Sequence, residues 1–361
     1  MKLNLSILIL LFNKLYSIVA NENIINLSVV ACGDRVPETL VLLKSALMFT
    51  RSKLNFLIIT ENNLKHQFTD EFNKWPEFVR HKFTYVISEP KFPSQNEEEW
   101  RKLFKLCASQ RIFLPEILPN IDSILYVDTD VLFITGLEQI WSHFENFNST
   151  QLAALAPEHE EANMGWYNRF ARHPYYGKLG LNSGVMLMNL TRMREFEFVN
   201  KIYPLYQIYK YNITWGDQCL LNILFKFHPD RLYEYDCSWN YRPDHCMYGS
   251  NCKSAEANGI RILHGCRRVF QSDKEPAFRE IYKAFEAYDF EEESRKKLYI
   301  SIKESFDKPS VKSTYCGGVK DQFLKTLKTE LKNHKQIMIE TKRSLEMDST
   351  TTLLLEEKQE L

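Results

Sequence analysis

The sequence has no net charge, no glycine-rich phosphate loop and no paired-cysteine zinc motif. Lysine plus arginine and aspartate plus glutamate both number 46, so no overall positive field favours nucleic acid as a partner. The eight cysteines contain no C-x-x-C pair, and their spacing does not resemble a zinc site. The turn at Gly33 is only a weak signal for phosphate binding. The sequence therefore predicts neither a nucleic-acid-binding protein nor a structural zinc protein.

The N-terminus also lacks an uninterrupted apolar run of the roughly 20 residues that span a bilayer. Residues 5–12 and 15–20 are mostly apolar, but Lys14 interrupts them. We predict a signal peptide over residues 1–20, with an uncleaved signal anchor as the alternative. Either segment directs the chain into the lumen of the endoplasmic reticulum or Golgi. The anchor alternative makes it a type II membrane protein that contacts the membrane only through this segment.

The cysteine count agrees with a lumenal compartment. Eight is an even number, and disulfides persist in oxidising environments. Four of the cysteines lie between residues 237 and 266, which predicts a local disulfide knot.

Apolar strands alternate with helical patterns in the first half of the chain, which is typical of an α/β domain with a mostly parallel central sheet. The predicted strands cover residues 27–34, 55–60, 83–88 and 124–133, and the predicted helices cover 37–50, 64–78 and 100–118. We predict a catalytic domain over residues 21–310. Residues 311–361 are predicted to form a helical, charged tail with a poorly ordered end.

Two carboxylates interrupt the apolar run over residues 124–133. Asp128 and Asp130 are two positions apart, so within a strand they would face the same way. Charges at the end of a buried strand need neutralising, and a divalent cation does this. Oxygen ligation favours Mg²⁺ or Mn²⁺ together with a nucleotide diphosphate. The alternative is a strand that runs into a turn with both aspartates as capping residues.

Several further motifs follow the D-x-D triplet in a fixed order. They are Leu181-Asn-Ser-Gly-Val-Met-Leu-Met-Asn189, Trp215-Gly-Asp-Gln218 and Ile262-Leu-His-Gly265, with long aromatic stretches over residues 166–177 and 239–252. Together they resemble glycosyltransferase family 8, and more narrowly its glucoside xylosyltransferases. The resemblance covers residues 27–285.

The resemblance implies a GT-A (Rossmann-like) fold and a retaining reaction that depends on Mn²⁺, with Mg²⁺ as the alternative. The donor would be UDP-α-xylose. The acceptor would be the 3-hydroxyl of β-glucose O-linked to EGF-like repeats of Notch-type glycoproteins, so that an α-1,3 linkage forms. By the same resemblance, Asp128, Asp130 and His264 hold the metal, and mixed carboxylate and imidazole ligation favours Mn²⁺.

The resemblance also assigns the donor-binding residues. Asn182, Ser183 and Gly184 would hold the sugar hydroxyls, where an ordinary reading is a turn. The remaining expected donor contacts are Ala31, Cys32 and Gly33 at uridine, Arg111 on the helix before the metal strand, Asp128 and Thr129 in the triplet, and Lys274 at phosphate.

Asp217 and Gln218 are the expected catalytic pair. By resemblance, Asp217 binds donor or acceptor hydroxyls and Gln218 faces the anomeric carbon. An amide is a poor nucleophile, which favours front-face transfer over the two-carboxylate scheme of retaining glycosidases. The alternative for Asp217 is a cap on the helix over residues 219–225.

Three positions depart from the family pattern, which usually has Asp at Cys219, Asn at Cys266 and Gly at Arg268. The two cysteines are close in sequence to Gln218 and His264. This pairing suggests a disulfide between them, with two free thiols as the alternative.

Two other functions remain open from the sequence. One is a family 8 transferase that uses UDP-glucose or UDP-galactose. The other is a glycoprotein-binding pseudoenzyme, although intact Asp128, Asp130 and His264 speak against it.

Overall fold

The computed structural model of the protein describes residues 24–94, 96–103, 105, 107–291 and 293–333. The predicted signal segment and the end of the predicted tail lie outside these residues. Within them, no helix is both long enough and apolar enough to cross a bilayer.

A seven-stranded sheet forms the centre of the domain, and a two-stranded sheet lies beside it. The strands are β1 (Ile25–Val30), β2 (Leu54–Ile59), β3 (Phe83–Ser88), β4 (Ser123–Val127), β5 (Val131–Phe133), β6 (Ala153–Pro157), β7 (Leu181–Asn189), β8 (Leu232–Glu234) and β9 (Ile262–His264). The large sheet has the order β3-β2-β1-β4-β7-β6-β8, and β5 pairs with β9. Strand β7 is antiparallel to both its neighbours, and the other pairs of the large sheet are parallel. The predicted α/β class with a mostly parallel sheet is confirmed.

Helices cover both faces of this sheet. They are α1 (Val36–Phe49), α2 (Lys65–Lys74), α3 (Glu77–Arg80), α4 (Glu97–Lys102), α5 (Gln110–Ile117), α6 (Leu137–Trp141), α7 (Trp166–Phe170), α8 (Leu190–Glu195), α9 (Phe198–Tyr209), α10 (Asp217–Phe227), α11 (Lys253–Asn258), α12 (Pro276–Glu286), α13 (Ser294–Ser305), α14 (Pro309–Lys312), α15 (Tyr315–Gly318) and α16 (320–333). Alternate residues of β4 enter two separate apolar cores: Leu125 and Val127 join one, and Ile124 and Tyr126 the other. Burial on both faces explains why this strand is a continuous apolar run.

Two predicted elements are interrupted. The predicted helix over residues 100–118 is divided into α4 and α5. Between them Cys107 adopts a left-handed φ of 61° and forms a disulfide with Cys32 at the end of β1. The predicted strand over residues 124–133 is divided into β4 and β5, which belong to different sheets, and the turn between them holds Thr129 and Asp130. The strand alternation expected for Asp128 and Asp130 is therefore wrong, and the turn alternative describes their backbone.

The described part of the predicted tail belongs to the core. Helix α16 buries Phe323, Leu324 and Leu327. The disulfide between Cys246 and Cys316 ties the segment before it to the centre of the domain. That bond also corrects the predicted knot over residues 237–266, because within this range only Cys237 and Cys252 pair with each other.

Candidate functional site

Four strand ends meet at one edge of the central sheet. The register places the ends of β1, β4 and β6 beside the beginning of β7, because β7 runs in the opposite direction. In spatial order this edge carries Gly33 after β1, Asp128 after β4, Asn182 at the start of β7 and Glu158 after β6. All four line a cleft of about 990 Å³.

The acidic triplet and His264 converge in the middle of this cleft. Asp128, Asp130 and His264 each offer a ligand atom, and these atoms lie within 4.8 Å of one another. His264 Nε2 is 3.3 Å from an oxygen of Asp130 and 3.7 Å from one of Asp128. Pairing of β5 with β9 brings them together, since Val131 is opposite His264 and Gly265 N–H donates to Asp130 O at 2.7 Å.

The His264 ring is held in one orientation. Asn240 donates through Nδ2 to Asn182 Oδ1 at 2.9 Å, which turns its own Oδ1 toward His264 Nδ1 at 2.9 Å. Nδ1 therefore carries the proton of the neutral ring, and Nε2 keeps a lone pair that faces the two aspartates. A Cβ on Gly184 would come 2.0 Å from His264 Cε1, so only glycine fits there.

The electrostatics of the cluster follow from this arrangement. Burial raises the pKa of Asp130, but the proximity of His264 outweighs it and holds that pKa below its ordinary value. Burial lowers the pKa of His264, whereas Cys266 and Asp130 raise it, and the net change is a raised pKa. Because proton and cation compete for the same ring nitrogen, the affinity of this cluster for a cation depends on pH.

Arg111 is a buried connection between the carboxylates rather than the solvent-exposed helix charge that an isolated arginine suggests. Its guanidinium donates to Asp128 Oδ1 at 2.7 Å and to Ser183 O at 2.5 Å, and it forms an ion pair with Asp217. It also stacks on the Tyr126 ring, 4.6 Å from the centroid. Buried arginine holds two carboxylates in place because its planar fork donates in several directions.

Asp217 lies at the back of the cleft. It is 1% exposed and begins helix α10, with Gly216 as the N-cap residue at a φ of 51°. Burial raises the pKa of Asp217 to about 6, although Arg111 lowers it. This carboxylate is already committed to Arg111, which leaves it poorly placed to act as a nucleophile.

Gln218 also lines the cleft, and both the oxygen and the nitrogen of its side-chain amide have hydrogen-bond partners. Its Oε1 accepts from Ser183 N–H at 3.1 Å, and its Nε2 donates to Tyr167 Oη at 3.3 Å and to Glu158 Oε2 at 3.4 Å. These contacts turn the side-chain oxygen toward β7, where the donor sugar is expected.

The sequence interpretation missed Glu158 and Arg242. Arg242 is 1% exposed, and its Nη1 is 2.7 Å from Glu158 Oε2. Glu158 also accepts from Asn182 Nδ2 at 2.8 Å, so this ion pair orients a residue expected to bind the donor. The sequence did contain one signal for this pair. Arg242 lies within the aromatic stretch over residues 239–252, and an arginine that is buried there needs an oppositely charged partner.

Most of the predicted site residues line the cleft. They are Cys32, Gly33, Arg111, Asp128, Thr129, Asp130, Asn182, Ser183, Asp217, Gln218 and His264. Two further predicted residues do not line the cleft. Ala31 is fully buried, and Gly184 packs closely against the His264 ring. Lys274 is exposed and lies outside the cleft lining.

The suggested disulfide between Cys219 and Cys266 does not form, because both thiols are free. Cys219 is directed back toward its own helix start and accepts from Trp215 N–H at 3.2 Å. Cys266 lines the cleft beside His264.

Comparison with known sequences identifies close relatives. The model of glycosyl transferase family 8 matches residues 8–266. Glucoside xylosyltransferase 2 of Xenopus laevis is 50% identical over 322 residues, which cover 86% of this chain and 76% of the relative. Glucoside xylosyltransferase 1 of Homo sapiens is 51% identical over 313 residues, which cover 84% of this chain and 70% of the relative.

Solved structures agree on the GT-A fold. The galactosyltransferase LgtC, in complex with donor and acceptor sugar analogues, has a TM-score of 0.56 at 17% identity, covering 76% of this chain and all of that chain. Mouse xyloside xylosyltransferase 1 in its apo form has a TM-score of 0.51 at 19% identity, covering 68% of this chain and 98% of that chain. The matched family model and the relatives at 50% identity together show that this chain belongs to glycosyl transferase family 8.

Proposed function

We propose that the protein is a UDP-xylose:β-D-glucoside α-1,3-xylosyltransferase. The observation that carries this proposal is the convergence of Asp128, Asp130 and His264 with Gln218 in one cleft. The names of relatives that are 50% identical supply xylose as the transferred sugar and a glucoside as the acceptor. The proposed acceptor is β-glucose O-linked to EGF-like repeats of Notch-type glycoproteins.

The donor set of the cluster fits a divalent cation. Two carboxylates and one imidazole suit Mn²⁺, and Mg²⁺ is the alternative. Asn240 fixes the tautomer that leaves His264 Nε2 free to bind, as an outer partner of a metal ligand should. When bound, the cation would neutralise charge on the diphosphate as UDP leaves.

The surroundings of Asp217 and Gln218 favour transfer from the front face of the sugar, with retention of the anomeric configuration. A double displacement needs a nucleophile beneath the anomeric carbon, but Asp217 is buried against Arg111 and Gln218 is an amide. Gln218 Oε1 would stabilise positive charge on the sugar instead. The leaving phosphate oxygen would then accept the proton of the acceptor hydroxyl on the same face.

The donor would lie along the strand ends. We place uridine at Ala31, Cys32 and Gly33, the three residues that follow the end of β1. Asp128 and Thr129 would face the diphosphate, with Arg111 behind them. The sugar would contact residues 182–184 at the beginning of β7, which are strand rather than the turn that is the ordinary reading of Asn-Ser-Gly. Lys274 stays a proposed phosphate contact, although it is exposed and is not among the residues that line the cleft.

A lumenal location is part of the proposal. The structure has three disulfides, one of which joins Cys246 and Cys316 across a sequence separation of 70. Disulfides favour an oxidising compartment. Asn148 and Asn212 each begin an Asn-x-Ser/Thr sequence, the acceptor motif for N-glycosylation, and both are exposed.

A donor screen tests the proposed function. The purified protein is incubated with an O-glucosylated EGF-like repeat, Mn²⁺ and either UDP-xylose, UDP-glucose or UDP-galactose. We expect transfer of xylose with an α-anomeric coupling in the product, and loss of transfer in Asp128→Asn and Asp130→Asn. A β-linkage, or equal transfer by the double variant in chelator, contradicts the proposal.

A further inference from the structure

One end of the cleft has an aromatic wall, which we define as Trp166, Phe170 and Trp215. All three line the cleft. The ring centroids of Trp166 and Trp215 are 5.5 Å apart, and those of Trp166 and Phe170 are 6.4 Å apart. Phe170 is 52% exposed, and both tryptophans are partly exposed. Aromatic side chains that remain exposed inside a cleft indicate a surface for a partner with apolar faces.

The topology places this wall at the end opposite the proposed uridine site. Along the sheet edge the order is β1, β4, β7 and β6, and helix α7 with Trp166 and Phe170 follows β6 in the chain. Trp215 is two residues before Asp217, so it extends the wall from the catalytic pair. The wall therefore continues from Gln218 away from the nucleotide end.

We propose that the aromatic wall binds the acceptor, with its glucose ring against Trp166 and Trp215 and the carrier polypeptide against Phe170. This inference rests on the proposed function. A β-glucopyranose ring has equatorial hydroxyls, so each of its faces presents C–H groups that pack on an aromatic surface. Its hydroxyls at the ring edge remain directed toward polar groups such as Glu158.

The position of Phe170 explains its assignment to the carrier. Arg169 Cζ lies over the Phe170 ring, 4.7 Å from the centroid, and the residue nevertheless remains 52% exposed. A side chain on the outer part of the wall is too exposed to select a sugar ring but contributes contact area to a polypeptide.

Acceptor kinetics test the inference in the full-length protein. The acceptors are an O-glucosylated EGF-like repeat and methyl β-D-glucopyranoside, each with UDP-xylose. Trp166→Ala should raise the KM of both acceptors about tenfold, equivalent to about 1.4 kcal/mol. The KM of UDP-xylose and its hydrolysis without acceptor should not change. Trp166→Phe should restore part of the acceptor affinity.

A second variant with a matched control tests whether Phe170 contacts the carrier polypeptide rather than the glucose ring. Phe170→Ala should raise the KM of the glycosylated repeat and leave that of methyl β-D-glucopyranoside unchanged. Phe227→Ala removes an equally exposed phenylalanine (52%) that lies outside the cleft lining, and it should change neither. Unchanged acceptor KM values in Trp166→Ala, or a KM for UDP-xylose that rises equally, overturn the inference.

Direct binding distinguishes failure of the wall from failure of the transferase assignment. Saturation-transfer NMR should show that methyl β-D-glucopyranoside binds to the wild type and that this binding is lost in Trp166→Ala. This result should not depend on which nucleotide sugar the enzyme uses as donor. Wild-type binding without xylose transfer would refute the proposed function and retain the wall. Absence of wild-type binding would refute the wall.

Discussion

Gly184 sets the distance between strand β7 and the histidine of the candidate metal cluster. A methyl group there would come within 2.0 Å of Cε1 and 2.5 Å of Nδ1 of His264, so the ring would have to leave its position. We expect Gly184→Ala to weaken Mn²⁺ binding and Mn²⁺-activated transfer by about 10- to 100-fold, the range seen when a ligand loses its support. Manganese titration followed by EPR measures the binding directly.

A second glycine provides the control for that substitution. A Cβ on Gly318 would have no neighbour within 4 Å, so Gly318→Ala should bind Mn²⁺ as the wild type does. Equal Mn²⁺ affinity in both alanine variants would contradict the role of close packing at Gly184.

Arg268 occupies a backbone conformation that favours glycine. Its φ is 62°, and its side chain forms an ion pair with Asp34 at 2.6 Å in which both partners are exposed. An exposed pair contributes about 0–1 kcal/mol, whereas a left-handed residue with a Cβ costs about 1–2 kcal/mol. We expect Arg268→Gly to raise the free energy of unfolding by up to about 1 kcal/mol in urea denaturation.

The alanine variant isolates the backbone contribution. Arg268→Ala loses the same ion pair but keeps the Cβ, so it should be less stable than Arg268→Gly. If the two variants are equally stable, the left-handed backbone carries no cost at this position.

At the level of elements, one disulfide joins the C-terminal helices to the domain that carries the site. Cys246 and Cys316 close a loop with a sequence separation of 70, whereas Cys237 and Cys252 are 15 apart. Because the stabilisation grows with loop length, the Cys246→Ser/Cys316→Ser double variant should lose about 1 kcal/mol more than the Cys237→Ser/Cys252→Ser double variant. Denaturant unfolding of both measures this difference. A larger loss from the shorter loop would show that local contacts dominate.

For the whole molecule, Asp217 links stability to pH. Burial raises its folded-state pKa to about 6, above the ordinary value of 3.8. The folded protein therefore binds the proton more tightly, and this stabilisation, complete below about pH 4, is lost as pH rises to about 6. Thermal unfolding between pH 4 and 7 should show the wild type losing stability relative to Asp217→Asn. A constant difference across this range would contradict the raised pKa.

Several local elements and the candidate residues of the site could be predicted from the sequence alone. The continuous apolar run of β4 predicts a sheet covered on both faces, because its successive residues enter different cores and must therefore all be apolar. Asp128, Asp130 and His264 could be named as candidate metal ligands from their residue types and from the resemblance to one family, and the structure brings them together. The same resemblance predicted a site that includes Asp217, Gln218 and residues 182–183 at the beginning of β7, and all of these line the cleft.

How those residues are held in place could not be predicted from the sequence. The β5–β9 pairing that brings His264 to Asp130 joins residues 131–133 to residues 262–264, and no local pattern specifies so distant a partner. Burial of Arg111, the Glu158–Arg242 ion pair and the free state of Cys219 and Cys266 likewise depend on which chain segments meet. Local propensity acts over a few residues, whereas these contacts arise from packing between distant residues. The candidate ligands were therefore predictable from the sequence, and the contacts that hold them in place were not.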